Sequence, residues 1–480
     1  MDPVFALGIE IPPPGSRDRL RALHRQLQAA ILDGRLRPGL RLPATRELAA
    51  GLGVSRNTAV AAYDLLLSEG YLFGRPGAGT FVADILPRRA EGAAPADGAA
   101  DRRLAAFWRD LPPRPASPAA LEFDFRAGLP DKSLFPFHVW RRLSARALRQ
   151  LERVPASYAA PEGQPALRAA VARHVSFARA VACAADDVLV TGGAQQAFDL
   201  LARILVTSGV TVVAVEDPGH LPTRRAFAAA GATLVPVPVD DEGLVVDRIP
   251  PGASVVCVTP SHQFPLGSTL SPRRRARLLD LARERDAVVI EDDYDGEFRF
   301  GSRPLDALQT LDRSGAVFYV GTFAKSLFPA LRLGYVVAPP WARPALAAAR
   351  EVADAHGPVL PQETLAAFID EGHLARHIRR MRKIYEARRA ALLAALARHF
   401  GDRLVPIPAT AGLHLAARLT DGSSAAEAAA RAAAAGVRAV PLQRFASEPG
   451  VAPNGFVFGY GLIAAERIDE GVRRLAAVTG

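Results

Sequence analysis

Apolar residues first repeat along the chain at Leu20, Leu23, Leu27 and Ile31. That three-to-four spacing predicts an amphipathic helix, ended by Gly34 and Pro38-Gly39. Thr45 is placed to cap a second helix over Arg46 to Leu52, stopped at Gly53. Ser55 is placed to cap a third, with Arg56, Asn57 and Thr58 in its first turn and Tyr63, Leu66 and Leu67 turned inward. From Gly70 the pattern changes. Gly70-Tyr71-Leu72 and Arg75-Pro76-Gly77-Ala78-Gly79-Thr80-Phe81-Val82 read as a hairpin whose glycines permit a tight tip. Two short helices across the Gly53-Val54 turn predict a helix-turn-helix, and the hairpin predicts a wing.

Residues 84–120 are rich in Ala, Pro and Gly and read as a linker, with a helical turn near Leu104 to Trp108. The pattern then alternates. Val188-Leu189-Val190, Thr211 to Val215, Ser254 to Val258, Ala287 to Ile290 and Ala316 to Val320 are short apolar runs. Helical patterns such as Ala194 to Leu205 and Pro272 to Asp286 separate most of them. Continuous apolar strands with helical crossovers predict a mostly parallel sheet covered on both faces. Ligands of such sheets bind beyond the carboxyl ends of the strands. From about Gly372 a long Arg-rich helix follows, then strands at Leu413 to Leu415 and Phe456 to Tyr460, which predict a smaller α+β lobe. The expected domains are therefore 1–83, a linker 84–120, and a body 121–480. The body divides into a large lobe (about 160–345) and a small lobe (about 121–159 and 372–480).

Composition narrows the class. The chain has 49% apolar and 22% charged residues, as soluble globular proteins do. It shows no apolar run of membrane-spanning length and no secretory pattern at its start. Two isolated cysteines, Cys183 and Cys257, suggest a reducing cytoplasm and exclude a cysteine-based zinc cluster. The net charge is +10. Residues 17–82 carry ten Arg and five acids, a local excess of five positive charges. A basic segment attracts phosphates, although an Arg-rich solvated surface would have the same composition.

The chain holds 59 Lys and Arg, yet only Lys132, Lys325 and Lys383 are lysines. Lys325 lies in Gly321-Thr322-Phe323-Ala324-Lys325-Ser326-Leu327-Phe328-Pro329-Ala330-Leu331-Arg332. A primary amine forms an imine with an aldehyde, and a guanidinium does not. Apolar flanks favour the neutral, nucleophilic amine. This points to pyridoxal 5'-phosphate (PLP) held as a Schiff base. Arg332 and Thr322 are placed to meet a phosphate. Thr191-Gly192-Gly193-Ala194-Gln195-Gln196 joins a strand to a helix, so the amides of Gly193, Ala194 and Gln195 can face the same phosphate. Each feature alone has an ordinary structural reading. Glu291-Asp292-Asp293-Tyr294 ends a strand; a metal would need His or further carboxylates at regular spacing, which the local sequence lacks, so no metal is expected.

Two resemblances join these observations. Arg35 to Ala49, Gly53 to Val60 and Glu69 to Leu72 resemble the winged helix of the GntR superfamily. Phe123 to Gly480 is similar to the class I aminotransferases of PLP fold type I. Together they resemble the MocR-type regulators, which fuse the two. The resemblance implies an N-terminal winged helix-turn-helix and an α/β aminotransferase-like body with a smaller α+β lobe. It implies DNA contacts from Arg46, Arg56, Thr58 and the wing glycines Gly77 and Gly79. Ser55, Asn57 and Arg75 join them by position at the helix start and on the wing. It places Asp292 on the pyridine nitrogen, Tyr294 on the ring hydroxyl, and Tyr158 on the cofactor phosphate of a partner subunit.

Three departures qualify the enzyme. Phe264 replaces the usual Asn, leaving its bond to the ring oxygen lost or transferred to His262 or Gln263. His220 stands where a stacking Tyr is common. Val457 stands where aminotransferases hold the substrate carboxylate with Arg, unless Arg438 or Arg444 substitutes. The expectation is a cytoplasmic homodimeric regulator that binds operator DNA and senses an amine or PLP itself through an aldimine at Lys325. A working aminotransferase with a DNA-binding head is the rival.

Overall fold

The computed structural model describes residues 3–16, 18–84, 103–112, 121–300 and 306–479. Contacts divide the chain into two compact units, Met1–Arg102 and Arg103–Gly480. Most of the segment read as a linker, 85–102 and 113–120, lies outside the described residues.

In the first unit, α1 (Arg19–Leu32), α2 (Thr45–Gly51) and α3 (Arg56–Ser68) enclose a core that includes Leu23, Leu27, Ile31, Leu48, Tyr63 and Leu66. Ser55 caps α3, its Oγ accepting the Thr58 N–H at 3.1 Å. Thr45 does not cap α2. It is the first helical residue, and the Glu47 carboxylate accepts the Ala44 N–H at 3.0 Å instead, a favourable place for negative charge. Leu67 is also a correction: it is 37% exposed, because Leu66 takes the inward position and its neighbour lies about 100° around the helix. β1 (Leu72–Arg75) and β2 (Gly79–Val82) pair antiparallel, Arg75 opposite Gly79. Thr80 O accepts the Leu42 N–H and the Val82 N–H reaches Leu40 O, each at 2.9 Å, which ties the hairpin to the segment before α2.

The second unit begins with α4 (Ala106–Arg109), β3 (Phe123–Asp124), α5 (Phe137–Leu151) and α6 (Pro165–Arg179). Its large sheet comprises β4 (Val188–Thr191), β5 (Val212–Asp217), β6 (Thr233–Asp240), β7 (Gly243–Leu244), β8 (Ala253–Val258), β9 (Val288–Asp293), β10 (Val317–Thr322) and β11 (Gly334–Val337). The strand order is β4-β11-β10-β9-β8-β5-β6-β7. Pairing is parallel from β10 to β6, while β11 enters antiparallel between β10 and β4 and β7 closes the other edge antiparallel. The helices that follow are α7 (Ala194–Leu205), α8 (Leu221–Ala229), α9 (Pro272–Arg285), α10 (Leu308–Leu311), α11 (Arg343–Asp354) and α12 (Val359–Asp370), the last packed on α5 and α6.

The apolar runs are continuous because both faces of the sheet are covered. Val213, Val215, Ile290 and Phe318 pack with Phe198 and Leu201 of α7. Their immediate neighbours Ala214, Val289 and Val317 pack with Leu278 and Leu281 of α9. Parallel pairing also brings the ends Asp217, Val258, Asp293 and Thr322 to one edge of the sheet.

The rest is α13 (His373–Phe400), β12 (Leu404–Pro406), β13 (His414–Leu419), α14 (Ala425–Ala434), β14 (Val437–Arg438), β15 (Val440–Pro441), β16 (Gly455–Gly459) and α15 (Ala465–Thr479). β12-β13-β16-β15 form an antiparallel sheet, and β14 pairs with β3. Among the described residues no helix is long and apolar enough to cross a membrane.

Candidate functional site

Four acids follow one another near the end of β9, and their partners separate them. Glu291 accepts the Leu308 and Gln309 N–H groups at 2.9 Å each, holding the start of α10. Asp293 receives Arg179 Nε and the Tyr319 hydroxyl, both at 2.6 Å, in a buried pair. Asp295 accepts the Leu413 N–H at 3.2 Å and flanks His262 Nδ1 at 3.1 Å. Of the four, only Asp292 keeps a buried carboxylate oxygen, Oδ1, with no partner. Burial, and then Asp293, push its carboxyl up to about 8, with Lys325 opposing. A buried acceptor left open is unfavourable, and a protonated ring nitrogen would satisfy it.

Asp292 lines a cavity at the ends of β5, β8 and β9, together with Glu216, His220, Cys257 and Thr259. His220 Nδ1 lies 2.8 Å from Thr223 Oγ1, and its ring meets the edge of Phe264 at 5.9 Å. Burial, then the charge of Lys325, push His220 down to about 3, so a neutral ring faces the cavity. Glu216 is a member that sequence reasoning missed. Burial raises it to about 7, against bonds from Thr259 and Gln263.

Lys325 follows β10 and is half-buried. Its Nζ donates to the Gly128 carbonyl oxygen at 2.7 Å. Burial lowers its pKa, while Asp295 and Asp292 pull it back up. Gly128 was not singled out from sequence; only its side-chain-free approach to Nζ reveals it.

Gly193, at φ +92, precedes α7 and offers no side chain to cap it. The first amides of a helix have no intrahelical acceptor, so Ala194 and Gln195 present N–H groups at the positive end of α7. Arg332 lies against Gly193, with three guanidinium atoms 3.2 Å from where a Cβ would be. Thr322 Oγ1 accepts the Ala324 N–H at 3.2 Å, leaving its own hydrogen to donate. A cation, a hydroxyl and helix amides form an anion cradle. The Gln195 side chain is exposed and turns to Pro222 O at 3.4 Å, so only its backbone serves here.

Tyr294 donates to His262 O at 2.9 Å and stacks on the His262 ring. Gln263 has no group left for a ligand. Its Nε2 donates to Pro218 O at 2.9 Å and Phe264 O at 2.7 Å, and its Oε1 accepts the Leu266 N–H at 3.0 Å. Of the outcomes left open by Phe264, transfer of the ring-oxygen contact to Gln263 is the one these bonds disfavour. Tyr158 is 88% exposed, against His356. The tertiary structure also assembles a cluster the local sequence did not suggest: His262, Asp295 and His414 offer ligand atoms within 4.8 Å of one another.

Val457 is fully buried with Leu266, Ala416, Leu442 and Ala452. Of the expected substitutes, Arg438 lies with its Nε 3.6 Å from Asp124 Oδ2, and Arg444 is solvent-exposed. These residues fit PLP: an open carboxylate for its nitrogen, a cradle for its phosphate, and a desolvated amine for its aldehyde.

On the first unit Arg46, Ser55, Arg56 and Asn57 are exposed, with Thr58 half-buried. Ser55 Oγ and Thr58 Oγ1 are 2.8 Å apart. Arg56, Asn57 and Thr58 thus open the second helix of a helix-turn-helix, the usual position for meeting base edges and phosphates. Gly77 and Gly79 form the wing tip at φ +75 and +113. Arg75 lies over Phe73 and Phe81, 5.3 and 5.2 Å from the ring centroids. Arg41, which sequence reasoning had not chosen, lies beside Gly79, its Nε 3.1 Å from where a Cβ would be.

Comparison with known proteins agrees with both units. Residues 21–82 match the family of bacterial regulatory proteins, gntR family, and residues 125–451 match aminotransferase class I and II. The probable rhizopine catabolism regulatory protein MocR of Rhizobium meliloti is 40% identical, over 95% of this chain and 92% of that protein. The HTH-type transcriptional regulator TauR of Rhodobacter capsulatus is 35% identical over 97% of each. The crystal structure of LysN, an alpha-aminoadipate aminotransferase of Thermus thermophilus complexed with N-(5'-phosphopyridoxyl)-L-leucine, superposes with a TM-score of 0.68. It is 32% identical and covers 75% of this chain and 92% of its own. The chain belongs to the MocR-type transcriptional regulators, in which a GntR-family DNA-binding head is joined to an aminotransferase-like body.

Proposed function

We propose that this regulator carries PLP on Lys325 and changes its operator binding when a small amine, or PLP itself, reaches that site. The observation that carries the reading is the open, buried Asp292 Oδ1 in a cavity within electrostatic reach of Lys325. PLP supplies an aldehyde that condenses with primary amines. Asp292 would hold the proton of the ring nitrogen, and His220, which lines the same cavity, would offer its neutral ring to the cofactor. The Tyr294 hydroxyl would serve the ring oxygen by turning from the His262 carbonyl oxygen to which it donates in this structure. Arg332, Thr322 and the first amides of α7 hold the phosphate. An effector amine would compete with the Lys325 amine for that aldehyde. The proton its ammonium gives up would pass to the freed Lys325 amine beside Asp292 and Asp295, and this relocation of charge would bias one arrangement of the body over another.

In this reading the head ends near residue 83 and the body runs from about residue 121. The protein works in the cytoplasm as a homodimer, whose two heads read two half-sites. The exposure of Tyr158 supports a phosphate site completed by the second subunit. Catalysis of ordinary transamination is disfavoured by Val457, since a substrate carboxylate would lose a charge-assisted bond worth about 1.5–3 kcal/mol.

The test is footprinting of the full-length protein upstream of the neighbouring gene, with and without PLP and candidate amines. Lys325→Ala serves as the control. The footprint should respond in the wild type and not in the variant. An unchanging wild-type footprint, or steady conversion of an amine and a keto acid, would sink the reading.

A further inference from the structure

Two buried imidazoles, His262 and His414, hold nitrogen atoms with no partner. The Pro265 carbonyl oxygen can only accept, so His414 Nε2 carries the hydrogen of their 3.2 Å bond. His414 Nδ1 is left as a bare, unpartnered acceptor. The Asp295 carboxylate, 3.1 Å from His262 Nδ1, holds the hydrogen on that nitrogen. His262 Nε2 is then the second bare acceptor, also unpartnered. The rings are 4.6 Å apart between centroids, and the residues are 3% and 1% exposed. Buried acceptors without donors are unfavourable, so the pair calls for a ligand that donates.

The surroundings decide what kind of donor. Phe264 meets both His414 and the cavity-lining His220, with ring centroids 5.3 and 5.9 Å apart, which places the pair beside the Asp292 cavity. The charge of Lys325 acts on His414 as well. Asp292 and Asp295 are acids and Val457 is apolar and buried, so a carboxylate would meet acceptors and negative charge. A hydroxyl or an ammonium would meet complementary groups. A divalent cation is the competing occupant. Asp295, however, bonds the nitrogen of His262 opposite the bare one, which favours an organic donor over a three-ligand ion.

We propose that His262 and His414, backed by Asp295, form a recognition subsite for a hydrogen-bond donor on the effector. The effector class is then an amino alcohol or a diamine rather than an α-amino acid. This inference rests on the reading of Lys325 as the group that exchanges with the effector amine.

The experiment uses the full-length protein loaded with PLP. It is titrated with butylamine, propanolamine, diaminopropane and alanine, and followed by visible absorbance and by the shift in thermal midpoint. Divalent metal content is measured in the same preparation. Propanolamine or diaminopropane should bind about tenfold more tightly than butylamine, the effect of one hydrogen bond. His414→Phe should erase that preference, and His414→Gln, which restores an acceptor, should recover part of it. Equal affinity for all four compounds, preference for alanine, or a preference that survives in His414→Phe overturns the subsite alone. One equivalent of metal in the wild type, lost in His414→Phe, overturns it in favour of an ion site. A protein that holds PLP at Lys325 but answers no amine overturns both the subsite and the amine-sensing reading.

Discussion

Lys325 Nζ donates a 2.7 Å hydrogen bond to the carbonyl oxygen of Gly128, joining positions 197 residues apart. A Cβ on Gly128 would stand 2.8 Å from that nitrogen, and the residue holds φ +73. Gly128→Ala should therefore crowd the amine and add a left-handed strain of roughly 1–2 kcal/mol. Borohydride reduction after PLP loading should tag Lys325 less in this variant than in the wild type. Lys325→Arg should take no tag while keeping its circular dichroism spectrum.

The acids of β9 should separate by experiment as they do by partner. Asp292→Ala should weaken PLP retention about 10- to 100-fold, measured by dialysis and visible absorbance, because a charge-assisted bond is removed. Asp293→Ala should instead act on stability. It leaves Arg179 buried without its carboxylate, and breaking such pairs costs about 3–5 kcal/mol in urea unfolding.

The raised acids predict a pH dependence for the PLP-free protein. Asp292 keeps its proton to about 8 in the fold, against 3.8 as an ordinary carboxyl. Between those values the folded state binds the extra proton, so stability falls as pH rises. Glu216 and Glu291, both near 7, act in the same direction. His220 and His414, near 3 against 6.5, act oppositely, but only below 6.5. The thermal midpoint of the body should therefore drop between about pH 6.5 and about pH 8, and Asp292→Asn should flatten the drop.

The cradle at α7 makes the phosphate, not the ring, the target of Arg332. Arg332→Ala should lower affinity for PLP about 10- to 100-fold and leave affinity for pyridoxal nearly unchanged. Equal losses for both compounds, by spectroscopic titration, would place Arg332 elsewhere in the site.

On the head, exposed Arg56 at the start of α3 is positioned for operator DNA. If it meets a phosphate, Arg56→Ala should weaken binding to every sequence and reduce the salt slope by about one. If it meets a base edge, it should cost about 1–3 kcal/mol and relax specificity at one position. Fluorescence anisotropy at several salt concentrations distinguishes the two.

What the chain determines locally could be read from its letters. The amine of Lys325 is a matter of covalent identity. The α1 stripe, the Ser55 cap and the apolar strand runs are governed by periodicities of a few residues. Most strand and helix positions were legible for that reason. Even locally there were limits: Thr45 proved helical because Glu47 satisfied the cap, and β11 was invisible because its direction is set by its neighbours β4 and β10. Only the tertiary structure decided which acid stays open, since Asp293 is neutralised by Arg179 and Asp295 is held by Leu413, both from distant segments. It likewise assembled His262 with His414, tied Gln263 to the Pro218 carbonyl oxygen, and buried Val457 in an apolar cluster. Hydrogen-bond satisfaction and desolvation depend on groups brought together across the whole fold, and they determine what each of these side chains is free to do.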